Sequence, residues 1–96
     1  KLAKLGIQAL VIEGAPSDHA WSVIEIDAGG VRIVSGKDYA GLGCYELNQR
    51  LAEKYGNVGI IAIGPAGEMR LSGAGISMND MENGPGRYAG RGGLGA

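Results

Sequence analysis

The chain has few aromatic, histidine and cysteine side chains. Its 96 residues include no phenylalanine, one tryptophan, one histidine (His19) and one cysteine (Cys44). A single cysteine can form no internal disulfide, and alone it cannot supply a zinc or iron–sulfur site. We therefore predict a reducing, cytoplasmic setting. His19 has no serine or cysteine partner at a catalytic spacing, which favours a surface or turn role over catalysis.

An excess of one charge and a long apolar run are also absent. Nine lysine and arginine residues stand against ten acidic ones, for a net charge of −1. A nucleic-acid binder needs a cationic surface, and a membrane span needs about 20 apolar residues in succession. The sequence therefore predicts neither a nucleic-acid partner nor a membrane span, and it is typical of a globular chain.

Glycine is the residue in excess. It supplies 19 of 96 residues, about one in five where about 7% is usual. The chain begins at Lys1 without an initiator methionine, and it ends at Ala96 directly after a glycine cluster. We therefore expect a single partial domain, residues 1–96, excised from a longer protein whose function has to be inferred for the parent.

The first half of the sequence favours strands. The apolar run Ile7–Ile12 predicts a strand buried on both faces. Residues 19–26 and 31–34 flank a turn sequence and predict a β-hairpin, in which Gly29 and Gly30 take the positive φ of a tight turn.

The second half predicts a helix between strands. Apolar residues at three- and four-residue steps indicate an amphipathic helix that ends at Gly56 and lacks a good N-terminal cap; they are Cys44, Leu47, Leu51 and Tyr55. Asn48 is assigned to the polar face, and Val58–Ile63 is predicted to be a second buried strand. Residues 69–78 alternate loosely, as an irregular strand would. The predicted class is α+β: a helix packed on a mixed or antiparallel sheet.

The last thirteen residues carry the chemical signal. Six of residues 84–96 are glycine, too many for a strand or helix interior. Glycines allow consecutive backbone N–H groups to form an anion-binding nest, and Arg87 and Arg91 add forks that match phosphate oxygens. The segment predicts a phosphate cradle.

The same segment leaves alternatives open. Gly90-x-Gly92-x-x-Gly95 fits the letters of a dinucleotide fingerprint, but no apolar strand leads directly into it and no helix follows. A glycine-rich tail without function fits the composition too, whereas an RNA-binding tail is disfavoured with two arginines. Asp80 and Glu82 are candidates to orient Arg87, and Glu68 is expected to end a turn.

Three ordered motifs resemble the aldehyde:ferredoxin oxidoreductase family. Residues 87–96 (RYAGRGGLGA) resemble its R-x-A-G-R-G-G-L-G-A signature, and residues 62–68 (AIGPAGE) resemble its I-G-P-A-G-E segment. Residues 6–14 (GIQALVIEG) are similar to its G-x-D-A-I-I-I-E-G strand, with Gln8 in place of the common acidic residue. Together the motifs span nearly the whole chain.

The resemblance implies a cofactor. Family members hold tungsten or molybdenum between two pyranopterins, with a [4Fe–4S] cluster nearby. By position, Arg87 would pair with a pterin phosphate, and the carbonyl of Tyr88 would face the magnesium ion that bridges the phosphates. The close cofactor contacts would come from Ala89, Gly90, Arg91 and Gly92. The cluster ligands would lie outside this chain, in downstream domains.

The function that this resemblance implies is aldehyde oxidation to carboxylate, with electrons passed to ferredoxin. The parent would be the enzyme, with the remaining domains of the same chain as partners, and the 96 residues alone would be inactive. The oligomeric state is left open. The alternatives are a non-enzymatic module that binds phosphate or nucleotides, and a structural domain that packs on partner chains.

Overall fold

A computed structural model of the chain describes residues 2–80 and 84–96. They belong to two compact units, residues 1–40 and residues 41–96. Within the described ranges, no helix combines the length and apolar character that crossing a membrane demands.

The first unit is built around the predicted hairpin. A 3-10 helix, Leu2–Leu5, precedes strands β1 (Ser22–Asp27) and β2 (Gly30–Ser35), and a 3-10 helix at Lys37–Tyr39 follows. The strands pair antiparallel, from Ser22 with Ser35 to Asp27 with Gly30. The hairpin prediction is confirmed.

One detail of the hairpin turn was predicted wrongly. Gly30 has a φ of 129°, as expected, but the φ of Gly29 is not positive. The Asp27 carboxylate accepts the Gly29 N–H at 2.7 Å. Such an Asx turn supports the bend without a left-handed residue at that position.

The predicted buried strand at Ile7–Ile12 is not formed. The segment is irregular, and Val11 and Ile12 are 78% and 67% exposed. A strand needs a neighbour to bond its backbone groups and to cover its side chains. Within the described residues, neither sheet supplies a strand next to this segment.

The second unit confirms the α+β class. Helix α1 (Cys44–Tyr55) has the predicted bounds, and the short helix α2 (Pro65–Glu68) lies between β3 (Ile61–Ile63) and β4 (Ile76–Asn79). Strand β5 (Pro85–Ala89) completes an antiparallel sheet of order β3-β4-β5.

The ends of α1 fit the sequence prediction. Gly56 has a φ of 77° and donates its N–H to the Ala52 carbonyl at 2.8 Å. No side chain caps the other end at Gly43. Gly56 thus ends the helix with the positive φ expected of glycine at that position, although its ψ of −139° lies outside the left-handed helical region.

The first strand of the sheet is shorter than predicted and is buried on one face. Ile60 is 5% exposed, whereas the neighbouring Ile61 is 66% exposed. Before β3, the side chain of Asn79 replaces the strand ladder. Its Oδ1 accepts the Ile60 N–H, and its Nδ2 donates to the Val58 carbonyl, both at 2.8 Å. This explains why regular pairing starts at Ile61.

Two further predictions about strands need correction. Residues 84–96 were expected to contain no strand, yet β5 occupies 85–89, because Gly86 is its only glycine: Gly84 precedes the strand and the other four glycines follow Ala89. Of residues 69–78, only the last three belong to β4. Arg70 has a φ of 56°, which strands do not adopt.

The core of the second unit consists of Leu47, Leu51, Ile60 and Ala74. Asn48, predicted on the polar face of α1, is 1% exposed instead. With Asn48 beside Leu47 and Leu51, the buried face of α1 has the usual width of a core-facing helix surface. Neither its Oδ1 nor its Nδ2 has a hydrogen-bond partner among the described residues.

Candidate functional site

The six residues predicted to contact the cofactor lie in succession on β5 and the loop that follows it. Arg87, Tyr88 and Ala89 end the strand, and Gly90, Arg91 and Gly92 begin the loop. All six are exposed. The structure therefore presents them on one continuous stretch of chain that a ligand can reach.

The backbone of the loop is rich in free donors. Gly92 and Gly93 have φ values of 90° and 75°. The Ala96 N–H donates to the Gly93 carbonyl at 3.2 Å. In the part of the chain that the structure describes, the N–H groups of residues 90–95 have no acceptor.

This loop differs in one respect from the predicted nest. In a nest of the usual kind, left- and right-handed residues alternate along the chain, whereas here two left-handed residues, Gly92 and Gly93, follow each other. The sign of φ still reverses on each side of the pair, which is the condition for neighbouring N–H groups to converge. The loop therefore has the backbone geometry that an anion-binding nest requires.

Both arginines of the segment are available to a ligand. Arg32 and Arg50 form ion pairs with nearby carboxylates. Over residues 2–80 and 84–96, neither Arg87 nor Arg91 forms such a pair. Two cations with no ion-pair partner among the described residues, next to N–H groups with no acceptor there, suit phosphate oxygens.

Of the two acidic residues proposed to orient Arg87, the structure describes only Asp80. The Oδ1 of Asp80 accepts the Gly84 N–H at 3.1 Å, and the Asp80 N–H donates to the Gly84 carbonyl at 2.8 Å. A Cβ built on Gly86 would lie 2.6 Å from the Cβ of Asp80. Asp80 thus stabilises the connection into β5, and Glu82 lies outside the described residues.

The hydrogen-bond pattern of the sheet gives the direction of the Tyr88 carbonyl. The Asn79 N–H donates to the Ile60 carbonyl, toward β3. Backbone groups alternate in direction along an antiparallel strand, so those of Ser77 also face β3. Tyr88 pairs with Ser77 in register. Ser77 and Tyr88 therefore form a non-hydrogen-bonded pair. Because of this, the N–H and the carbonyl of Tyr88 point away from β4, to the open edge of β5.

The side chain of Tyr88 lies on the opposite face of the sheet from that of Arg87. Tyr88 shares a row with Ser77, which is 1% exposed, and its hydroxyl donates to the Pro85 carbonyl at 3.4 Å. The pKa of the phenol is raised, first by desolvation and then by Cys44 and Tyr45. The phenol therefore lies toward the start of α1, which leaves the backbone of Tyr88 for a ligand at the strand edge.

The I-G-P-A-G-E segment lies against the end of the glycine loop. A Cβ built on Gly67 would lie 2.6 Å from the Gly95 carbonyl oxygen. One built on Gly95 would lie 2.6 Å from the Ala74 carbonyl oxygen. These backbones touch because both positions lack side chains. Sequence reasoning missed the contact, although the glycine inside this segment was a signal for close backbone approach.

Glu68 does more than end a turn. It is the last residue of α2, and both of its carboxylate oxygens accept the Gly41 N–H, at 3.0 and 2.9 Å. Gly41 has a φ of 80°. The carboxylate thus ties α2 to the chain just before α1.

No metal site of side chains is preformed in this chain as far as it is described. Residues 2–80 and 84–96 contain no group of three or more histidine, cysteine or acidic side chains that could hold an ion. The candidate site offers backbone N–H groups and two guanidinium groups as donors, and one open carbonyl as an acceptor. Such a set suits an anionic ligand better than a bare metal ion.

The comparisons with known proteins agree with the resemblance of the three motifs. A family model described as aldehyde ferredoxin oxidoreductase, N-terminal domain, matches residues 1–96. No curated protein and no solved structure matches this chain. The match spans the whole chain, so the chain belongs to the aldehyde ferredoxin oxidoreductase family, a family of oxidoreductases, and its residues fall within the family's N-terminal domain.

Proposed function

We propose that residues 87–92 bind the phosphate groups of a bis-pyranopterin cofactor that carries tungsten or molybdenum. The observation that carries this proposal is the run of backbone N–H groups at residues 90–95, which lack acceptors in the described part of the chain. Arg87 and Arg91 would bind phosphate oxygens beside them. Ala89 and Gly90 would permit close approach, and Gly92 would contribute its N–H.

The open edge of β5 supports a second role. A carbonyl that bonds to no neighbouring strand can be a ligand to a hard cation such as magnesium. The Tyr88 carbonyl has this orientation in the ladder. We propose that it coordinates the magnesium ion that bridges the two pterin phosphates.

We propose that the full-length protein is a cytoplasmic oxidoreductase that converts aldehydes to carboxylates and passes electrons to ferredoxin. When bound, the metal–pterin group would supply the redox chemistry, together with a [4Fe–4S] cluster held outside this chain. The 96 residues would be the C-terminal part of the family's N-terminal domain, working with the remaining domains of a longer chain. Their own task is to bind and orient the phosphates.

The proposal is tested by metal analysis of the full-length protein. We expect tungsten or molybdenum together with iron. In Arg87→Gln, loss of a charge-assisted contact should lower the heavy-metal content on the order of tenfold. The matched control is Arg50→Gln, which removes a guanidinium that already pairs with Glu46 on an exposed helix face. A protein fully loaded with iron but free of both heavy metals would contradict the proposal.

The same backbone donors, taken without the resemblance to the family, favour a second function. The loop could serve a non-enzymatic module that binds phosphate or nucleotides. Calorimetric titration of the 96-residue chain with ATP and with pyrophosphate separates the two. The leading proposal expects no useful affinity from part of a site, whereas micromolar binding would favour the module.

A further inference from the structure

The glycine loop is anchored at both ends on the same dipeptide, Ala74-Gly75. At the start of the loop, a Cβ on Gly75 would lie 3.3 Å from the Ala89 carbonyl oxygen. At its end, a Cβ on Gly95 would lie 2.6 Å from the Ala74 carbonyl oxygen. Residues 90–94, here called the phosphate loop, therefore span two fixed points.

The second anchor depends on α2. Gly67 is buried, and a Cβ built on it would lie 2.6 Å from the Gly95 carbonyl oxygen, so its backbone lies against Gly95 as that of Ala74 does. Gly95 is thus held between two backbone segments. The position of α2 is itself fixed, because the Glu68 carboxylate holds the Gly41 N–H.

We propose that Gly67 is a positioning residue for the phosphate loop, an inference that rests on the proposed function. A methyl group at this position would meet the Gly95 oxygen at 2.6 Å and the Ile63 Cβ at 2.7 Å. Ile63 is held in β3 by its pairing with Ile76. Gly95 lies outside the sheet, so the loop is the part that must move.

Displacement of Gly95 would change the orientation of the donors. Gly92 and Gly93 need positive φ to keep their N–H groups directed to one ligand. The spacing between Ala89 and Gly95 sets the turn that these residues make. Gly67 would therefore act on the phosphate contacts through Gly95, without touching the ligand.

The first test is nuclear magnetic resonance of the chain labelled with [15N]glycine, comparing Gly67→Ala with two controls. In Gly73→Ala the new methyl would meet nothing within 4 Å and the φ is not positive. Gly56→Ala strains the end of α1, where φ is 77° and the space is open, and so destabilises the unit without touching the loop. Gly67→Ala should shift the Gly92 and Gly93 amide signals, while the hairpin signal of Gly30 stays in place.

The second test measures tungsten or molybdenum per protein in the full-length enzyme carrying the same substitutions. Gly67→Ala should lose metal on the order of tenfold, and both controls should keep it. Unchanged Gly92 and Gly93 signals, equal shifts in Gly56→Ala, or full metal content in Gly67→Ala would each overturn the positioning role. Absence of heavy metal from the wild-type enzyme would instead defeat the proposed function, so the two failures are distinguishable.

Discussion

The two units of the chain differ in what holds them together. In the second unit, α1 contacts the three-stranded sheet at β5, and the buried apolar side chains of the described residues all belong to this unit: Leu47, Leu51, Ile60 and Ala74. In the first unit, a two-stranded hairpin leaves Ile33 and Val31 at 72% and 58% exposure. A two-stranded hairpin by itself is marginal in water, so we expect the first unit to depend on its turn and its surface charges.

This difference teaches where the chain can keep a defined site. The phosphate loop lies in the unit with a core, between a strand end and a packed glycine backbone. The third family motif, residues 6–14, lies in the unit without one and forms no regular structure. A site whose donors must keep their directions requires an environment with a packed core, such as that of the second unit.

The largest expected effect is on the free energy of unfolding, and it tests whether a buried core stabilises only the second unit and not the first. Leu51→Ala removes a side chain that is 9% exposed and should lower the free energy of unfolding by about 2–5 kcal/mol. The control Ile33→Ala, at 72% exposure, should cost below about 1 kcal/mol. Urea unfolding measures both. Equal losses would mean that the hairpin is covered in solution, which would break the comparison.

The next effect concerns two buried polar side chains of the second unit. Asn48 and Ser77 are each 1% exposed, but Ser77 donates to the Ala62 carbonyl at 3.2 Å, whereas Asn48 has no partner among the described residues. A buried amide without a partner costs about 1–3 kcal/mol. Asn48→Leu should therefore leave the free energy of unfolding unchanged or raise it, whereas Ser77→Ala should lower it by about 1 kcal/mol.

The outcome for Asn48 also sharpens the view of this core. If Asn48→Leu destabilises the chain by as much as a core deletion does, the amide has a partner in solution, such as a buried water. Thermal unfolding of the two variants beside the wild type gives the answer. The result decides whether the second unit is an apolar core with one flaw or a core built around a polar contact.

Local patterns in the sequence were sufficient for part of this fold. The period of Cys44, Leu47, Leu51 and Tyr55 gave the bounds of α1, because a helix forms its hydrogen bonds within one segment. The turn after Asp27 gave the hairpin for a similar reason. Both elements depend on neighbours in sequence.

The features that the sequence did not reveal depend on distant partners. Ile7–Ile12 has the composition of a strand, but no described strand pairs with it. Asn79 shortens β3 through bonds to Val58 and Ile60, nineteen or more residues away. A side chain that replaces a ladder leaves no periodic trace in the sequence.

For the candidate site, the sequence indicated the residues but not their setting. The glycines and arginines of 87–92 were recognisable in the sequence as a candidate phosphate-binding segment. The contact of Gly67 with Gly95 and the edge orientation of the Tyr88 carbonyl follow from strand register and backbone approach. The first depends on how the β3–β4 connection folds and the second on the register of β5 against β4, and composition encodes neither.

The smallest expected effect lies in the first unit and follows from its charges. The pKa of Asp27 is lowered from its ordinary value of 3.8, chiefly by the hydrogen bond from Arg32 and then by the Gly29 N–H. Because the folded pKa lies below the unfolded one, the carboxylate stabilises the turn above pH 3.8, and this contribution is lost as the pH falls through the folded pKa.

An acid titration from about pH 6 to about pH 2, followed at the Gly29 amide signal, should therefore show a transition with a midpoint below 3.8. Asp27→Asn should abolish it. Glu46→Gln, which removes the acidic partner of an exposed pair on α1, should leave it in place. A Gly29 signal that titrates unchanged in Asp27→Asn would mean that another acid supports the turn. The first unit would then depend on something other than the Asp27 contacts, and the contrast between a unit built on a core and one built on surface charge would lose its second half.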